Sequence, residues 1–278
     1  MTDRTAREAA LRRAPARAPR GPTGARERAL FANFYRRELT LRYLGSSTGF
    51  AWALLHPLIL LGVYHFVFTR IFHATGFAGE SFLAFVAVAL WPWLAAQESL
   101  QRGTASIAGY AGMIRKVAFP HEIVVFASVA ATFTLQLIGY LVVLTVLKAG
   151  GEGIHLSGLL IALPVWAIVL VGVMGAVLFL SALQVFIRDV EHILMPTLMI
   201  LMYLTPILYP LTLVPERLRP WVALNPFSWM VGRLRDALLE GRLALQWSDL
   251  VALLAALAVF VGGLAFFRRL SPHFEDFV

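Results

Sequence analysis

Residues 156–187 read LSGLLIALPVWAIVLVGVMGAVLFLSALQVFI, 32 consecutive positions without an Asp, Glu, Lys or Arg. A helix needs about 20 apolar residues to cross the ~30 Å hydrocarbon core of a bilayer. This run is long enough to do so, and it has no polar face to turn toward water as a surface helix would. Working outward from it, five more uncharged runs occur, at residues 43–69, 81–97, 123–147, 192–215 and 250–267. Composition agrees, since 59% of the 278 residues are hydrophobic and 14% charged, against about 25% charged in a soluble domain. The runs are continuously apolar and lack the alternation of a barrel strand, so helices are expected. The fold class read from the sequence is therefore an all-α integral membrane protein with six transmembrane helices.

The second and sixth runs are near the lower length limit, and Pro92 is expected to kink the second or to end it as a shallow excursion. Residues 1–28 alternate Arg, Ala and Pro, with prolines at 15, 19 and 22 and no apolar run. They read as a disordered cytosolic tail rather than a secretory signal, leaving 29–278 as the six-span domain. Across residues 28–45, Leu30, Phe34, Leu41 and Leu44 fall within about 80° of one another on a helical wheel, with Arg37 inside that face. A long Arg reaches headgroups from such a position, so an N-terminal amphipathic helix on the cytoplasmic surface is expected. Between the fifth and sixth runs, Asn225-Pro226 signals a turn. Phe227, Val231, Leu234 and Leu238 then follow at helical spacing and stop before Gly241, predicting a short amphipathic periplasmic helix. Trp221, Trp229 and Trp247 suit the aromatic belt of a membrane interface.

The formal charge of +8 resembles a nucleic-acid signal until it is located. Residues 1–42 hold 11 Arg and 4 acids, which leaves 13 basic and 12 acidic residues for the other 236 positions. No basic surface remains for a duplex, so nucleic acid is not an expected partner. With the N-terminus inside, the inner flanks carry 17 basic residues and the outer ones 7, which places both termini in the cytoplasm. The five arginines at 217, 219, 233, 235 and 242 weigh against this orientation, in a 34-residue loop that has structure of its own. Cysteine is absent, which excludes a disulfide scaffold, thiolate metal sites and cysteine nucleophiles.

Enzymatic signatures are missing too. There is no G-x-x-x-x-G-K-[ST] run for ATP. His155 and Ser157 have no acidic orienter at a suggestive spacing. His56 and His65, nine apart, fall on opposite sides of one helix and do not make a metal pair. Every carboxylate lies at or beyond the edge of an uncharged run, Glu98 being the closest. Ion-driven carriers place acids at mid-membrane, so if this bundle moves a solute, the energy is expected from another subunit. Two cytoplasmic elements are candidates to receive it. In the connection 98–122, Ile107, Tyr110, Ile114 and Val117 share a helical stripe, with Arg115 and Lys116 on another face and Phe119-Pro120 leading into the next span. That stripe suits a partner's groove, lipid or its own bundle alike. The other element is Arg188-Asp189 in the very short fourth-to-fifth connection, a pattern also seen in ordinary caps and solvated pairs.

Taken together, the blocks resemble a known family. RRELTLRYLGSSTGFAWALLHPLILLGVYHFVFTRIF (36–72) looks like the amphipathic helix and first span of polysaccharide-export permeases, the type-2 ABC-transporter membrane subunits for O-antigen, capsule and teichoic acid chains. MIRKVAFPHEI (113–123) is similar to that family's cytoplasmic loop before the third span, and FIRDVEHIL (186–194) to its Arg-Asp turn. YLTPILYPLTLVPERL (203–218) with LNPFSW (224–229) resembles its fifth span and periplasmic segment. The likeness runs in order from 36 to about 275, through RRLSPHFED. The long Arg/Pro tail and Ser47-Thr48, where an apolar residue is expected, depart from it.

The resemblance implies a homodimer of six-span permeases in a bacterial inner membrane, with two copies of a cytosolic ABC ATPase subunit below it. ATP and Mg would be bound by that partner, and this chain would carry no cofactor or metal and no catalytic residue. The cargo implied is a lipid-linked polysaccharide. A hydroxyl-rich chain slides past aromatic faces more readily than through tight sites, and Trp52, His56, Tyr64 and Phe68 on the first span, with Tyr203 and Tyr209 on the fifth, are the candidate lining. Successive i+4 steps drift about 40° around a helix, so not all of them can face one lumen. The alternatives are a type-2 exporter of drugs or peptides and a non-transporting membrane scaffold for glycan synthesis, though no catalytic acid pair is visible for the latter.

Overall fold

Between apolar helices in a bilayer, close backbone approach decides which elements pair, and small side chains permit it. The computed structural model describes residues 23–41, 49–71, 81–117 and 119–277; the side chains of residues 23, 41, 49–54, 56, 57, 68 and 69 fall outside that description. Its helices are α1 (Thr23–Leu41), α2 (Gly49–Phe66, continued by a π-helical turn Val67–Ile71), α3 (Phe82–Gly109), the short α4 (Ala111–Ile114), α5 (Glu122–Ala149), α6 (Leu159–Phe186), α7 (Asp189–Leu204), the short α8 (Arg219–Leu224), α9 (Pro226–Leu238), α10 (Trp247–Leu270) and α11 (Phe274–Phe277). No strand occurs among the described residues. Among the described residues, four helical segments are long and apolar enough to cross a membrane, namely Phe82–Gly109, Glu122–Ala149, Leu156–Phe186 and Trp247–Phe277.

The central element is α3, whose most apolar stretch is 78% buried against 17% for that of the last segment. Its inward faces combine small residues, Ala84, Ala87, Ala89, Ala95, Ala96, Ser99 and Thr104, with the large Leu90, Trp91 and Trp93, all fully buried. A Cβ at Gly103 would lie 2.3 Å from Cγ1 of Val177 on α6. A close crossing joins α6 to α10, where a Cβ on Gly263 would stand 2.1 Å from the carbonyl oxygen of Gly175. Only hydrogen fits there, which is why α10 can lie so near α6 while most of its surface remains outward.

Several sequence expectations are corrected. Residues 98–109 are not a loop, because α3 continues through them to Gly109. Pro92 does not end the helix. Proline removes the N–H that would pair with the carbonyl four residues back, and here the Tyr140 hydroxyl of α5 donates to that Val88 oxygen at 3.1 Å. The orphaned acceptor is satisfied by a neighbouring helix, as a membrane interior demands. At the N-terminus, residues 23–28 belong to α1 rather than to a disordered tail, while residues 1–22 lie outside the described residues. The run 192–215 is not one helix: α7 stops at Leu204, and Thr205 is extended (φ −88°, ψ 133°). Pro206 disfavours helical geometry in the residue before it. Pro164 and Pro196, by contrast, stay inside their helices.

The segment between α7 and α10 follows its sequence signals. The Asn225 side chain accepts the Phe227 N–H at 3.0 Å and caps α9, with Pro226 at the first helical position. Val231, Leu234 and Leu238 are fully buried. Gly241 adopts φ +69° beside the His155 ring, and His155 donates its N–H to the Leu238 carbonyl at 2.7 Å. His155 is thereby a backbone tie between the α5–α6 connection and α9.

Candidate functional site

At the end of the bundle where α3 stops and α5 begins, an aromatic chain is assembled from five elements. Phe34 of α1 meets the Tyr110 ring edge-on at 5.2 Å and Phe119 at 5.6 Å. Phe119 lies 5.2 Å from the His121 ring, which stacks on Phe274 of α11 at 5.9 Å. Phe274 in turn touches Phe186 at 6.1 Å and Phe267 at 5.2 Å. Phe186 is the last residue of α6, two positions before Arg188. The 110–117 segment and the Arg188-Asp189 turn are thus joined by packed rings through the C-terminal helix.

Polar contacts fix the same region. The Tyr110 hydroxyl donates to Glu38 at 2.9 Å, and the Arg37 guanidinium sits 4.9 Å from the centre of the Tyr110 ring. Burial first, and the Glu38 carboxylate second, hold the Tyr110 hydroxyl well above its ordinary value, so it remains a donor. Burial lowers His121 below its ordinary 6.5 against the opposing pull of Glu275 and Glu122. Arg268 of α10 pairs with Glu122 at 3.0 Å. Of the sequence candidates here, Ile107, Tyr110 and Ile114 are buried within the chain's own bundle. Arg115, Lys116, Val117, Arg188 and Asp189 are exposed. Of the three environments the sequence left open for the stripe, its first three residues take the own-bundle one and Val117 does not.

At the opposite end, Tyr64 lies half-buried on α2, and the Tyr209 hydroxyl donates to the Tyr203 carbonyl at 2.9 Å. Of the three tyrosines, Tyr203 and Tyr209 are joined by this bond. Trp52 and His56 lie on α2 and Phe68 in its π-helical turn, but their side chains fall outside the described residues. Beneath the tyrosines the unwound stretch after α7 is pinned from the α8–α9 side. Asn225 Nδ2 donates to Thr205 Oγ1 at 2.8 Å, and Arg235 donates to the Pro206 and Ile207 carbonyls, each at 2.7 Å. Arg235 also reaches the Phe85 carbonyl and lies 3.4 Å from the centre of the Phe85 ring. Burial lowers this guanidinium to about 9, which keeps it charged at neutral pH.

The buried Arg233 pairs with Asp249 of α10 at 2.7 Å, Arg219 donates to the Val214 and Thr212 carbonyls, and Arg242 pairs with Glu240. Four of the arginines that weighed against the charge-based orientation therefore serve local structure. Sequence reading missed Arg235 as an organiser, since nothing in its spacing announces a carbonyl cage. It also missed the aromatic chain, because Phe34, Phe119, Phe186 and Phe274 lie far apart along the chain. Among the described residues no cluster of His, Asp and Glu could hold a metal ion.

The described chain is a bundle of long apolar helices with a ring-packed junction at one end. Comparison with known proteins gives this architecture its class. Residues 29–239 match the ABC-2 type transporter family, and the chain belongs to that family. It is similar to the O-antigen export system permease protein RfbA of Klebsiella pneumoniae, 25% identical over 246 residues, covering 86% of this chain and 91% of the relative. It is also similar to the O-antigen export system permease protein RfbA of Myxococcus xanthus, 28% identical over 251 residues, covering 84% and 92%. The polysialic acid transport protein KpsM of Escherichia coli is 21% identical over 238 residues, covering 84% and 90%. The chain is a membrane-embedded permease subunit of a transporter.

Proposed function

We propose that this permease exports a lipid-linked, O-antigen-like polysaccharide across a bacterial inner membrane, as a homodimer driven by two copies of a separate cytosolic ATPase that binds ATP and Mg. The observation that carries the reading is coverage. Relatives named for O-antigen export or polysialic acid transport match this chain over 84–86% of its length and 90–92% of theirs. Each subunit spans six times in this reading. Residues of α2 with its π-helical turn, and α7 with the pinned stretch after it, add two crossings to the four long ones, with both termini cytoplasmic.

In this reading the exposed Arg115, Lys116, Val117, Arg188 and Asp189 meet the ATPase, and Ile107, Tyr110 and Ile114 brace them from inside the bundle. The aromatic chain supports that division, because a push at either exposed element reaches the other through packed rings. Trp52, His56, Tyr64, Phe68, Tyr203 and Tyr209 contact the glycan, with the three tyrosines toward the exit. Deleting the gene tests the reading. Surface polysaccharide should fall to background while its lipid-linked form accumulates inside, and the intact gene should restore export. Unchanged surface polysaccharide in the deletion strain would overturn the assignment.

A further inference from the structure

The continuation of α3 past residue 97 carries acid and base into the bundle. The uncharged run of α5 covers residues 123–147, and Gln136 stands within one residue of its midpoint, which is near mid-depth of the hydrocarbon for a helix that crosses the bilayer. Gln136 Nε2 donates to Glu98 Oε2 at 2.8 Å, which fixes that carboxylate at the same depth. Its other oxygen accepts from Arg102 Nε at 2.8 Å. One turn away, Trp93 Nε1 donates to Gln97 at 2.9 Å, and Gln101 donates to the Met195 sulfur of α7. This corrects the expectation that every carboxylate lies at or beyond a span boundary. The sequence signal is Gln97, Glu98, Gln101 and Arg102 at i, i+1, i+4 and i+5, one polar strip of a helix that continues past the uncharged run.

The strip is not sealed inside the protein. Side chains of Glu98 and Arg102 are 27% and 49% exposed, and Gln97, Gln101 and Gln136 are half-buried. Trp91, Ala95, Ala96, Ser99 and Leu100 on the other faces of α3 are buried. Charged groups at mid-membrane are costly against lipid tails and are tolerated where they face the bundle interior or a water-filled cavity. Five polar side chains gathered from α3 and α5, an acid and a base among them, point to water rather than lipid.

We propose that this strip lines a water-filled part of the translocation path and binds the hydroxyl groups of the passing chain. The Glu98 carboxylate and the amide oxygens accept from sugar hydroxyls, while the amide N–H groups and the Arg102 guanidinium donate to sugar oxygens. Each contact replaces one with water, so the chain is held weakly and advances. The proposal rests on the polysaccharide-export reading and adds a polar surface at mid-depth to the tyrosines at the exit.

Thiol labelling of the full chain with its ATPase in native membranes provides the test. Gln97→Cys and Gln101→Cys are compared with Leu257→Cys, an exposed apolar position on α10. A charged methanethiosulfonate reacts with thiolate, which forms in water, so the strip positions should label at least about tenfold faster than Leu257→Cys. Labelling should slow several-fold in cells making the lipid-linked glycan relative to cells unable to make it, and Glu98→Gln should lower surface glycan per permease. Labelling at the Leu257→Cys rate would overturn the wet strip whatever the cargo. Fast labelling that glycan synthesis leaves unchanged, with normal export by Glu98→Gln, would overturn the ligand assigned to it. Failure of the export reading is separately visible, as a gene deletion that leaves surface glycan intact.

Discussion

His121 sits where the aromatic chain crosses from α5 to the C-terminal helix, and its proton is linked to that packing. Burial lowers its affinity below the ordinary 6.5. Between the lowered value and 6.5 the unfolded chain binds more proton than the folded one, so stability rises with pH across that window. It is complete above about pH 6.5 and lost as pH falls through the folded value. Thermal unfolding in detergent should show this acid-side loss, and His121→Phe should flatten it while preserving the stack on Phe274. Tyr110 makes a different kind of contribution. Tyr110→Ala removes a buried ring and should cost about 3–5 kcal/mol. Tyr110→Phe keeps the contacts to Phe34 and Arg37, loses the bond to Glu38 and should cost about 1–3 kcal/mol. At the other end, Tyr64→Ala and Tyr203→Ala should slow export of long chains more than they reduce membrane-inserted protein, with Tyr→Phe milder at both. Equal surface glycan at equal protein would return these two residues to ordinary packing.

Among the elements, α3 shows most clearly how far the sequence can be read. Its apolar half was visible as a run of small and aromatic residues. Its second half was not, because Glu98 and Arg102 look like a boundary until Gln136, 38 positions later, is placed beside them. Likewise Pro92 reads locally as a helix breaker, and only the Tyr140 hydroxyl on another helix makes it tolerable. Short-range signals succeeded where the determinant is itself local, as in the Asn225-Pro226 start and the Gly241 stop of α9. Long-range determinants, including the Arg235 cage and the Phe34-to-Phe186 chain of rings, have no spacing to betray them. Two substitutions test the element-level packing. Tyr140→Phe should leave the Val88 carbonyl unpaired at a cost of about 1–3 kcal/mol. Gly263→Val should force α10 off α6, since even a Cβ would stand 2.1 Å from the Gly175 oxygen, and a large drop in melting temperature in detergent is expected.

For the whole molecule, orientation and cargo are the claims that matter. Gly112 is exposed with open space around it, so Gly112→Cys enters a cysteine-free chain without disturbing the junction. Its reaction with an impermeant reagent only after the membrane is opened would place the α3–α5 end in the cytoplasm. The decisive measurement reconstitutes the purified permease with its ATPase in vesicles carrying a labelled lipid-linked polysaccharide on the ATPase side. ATP-dependent appearance of the labelled glycan on the far side is expected, abolished when either subunit is omitted. Equal transfer by vesicles lacking the permease, or transport of small drugs with no movement of the glycan, would contradict it.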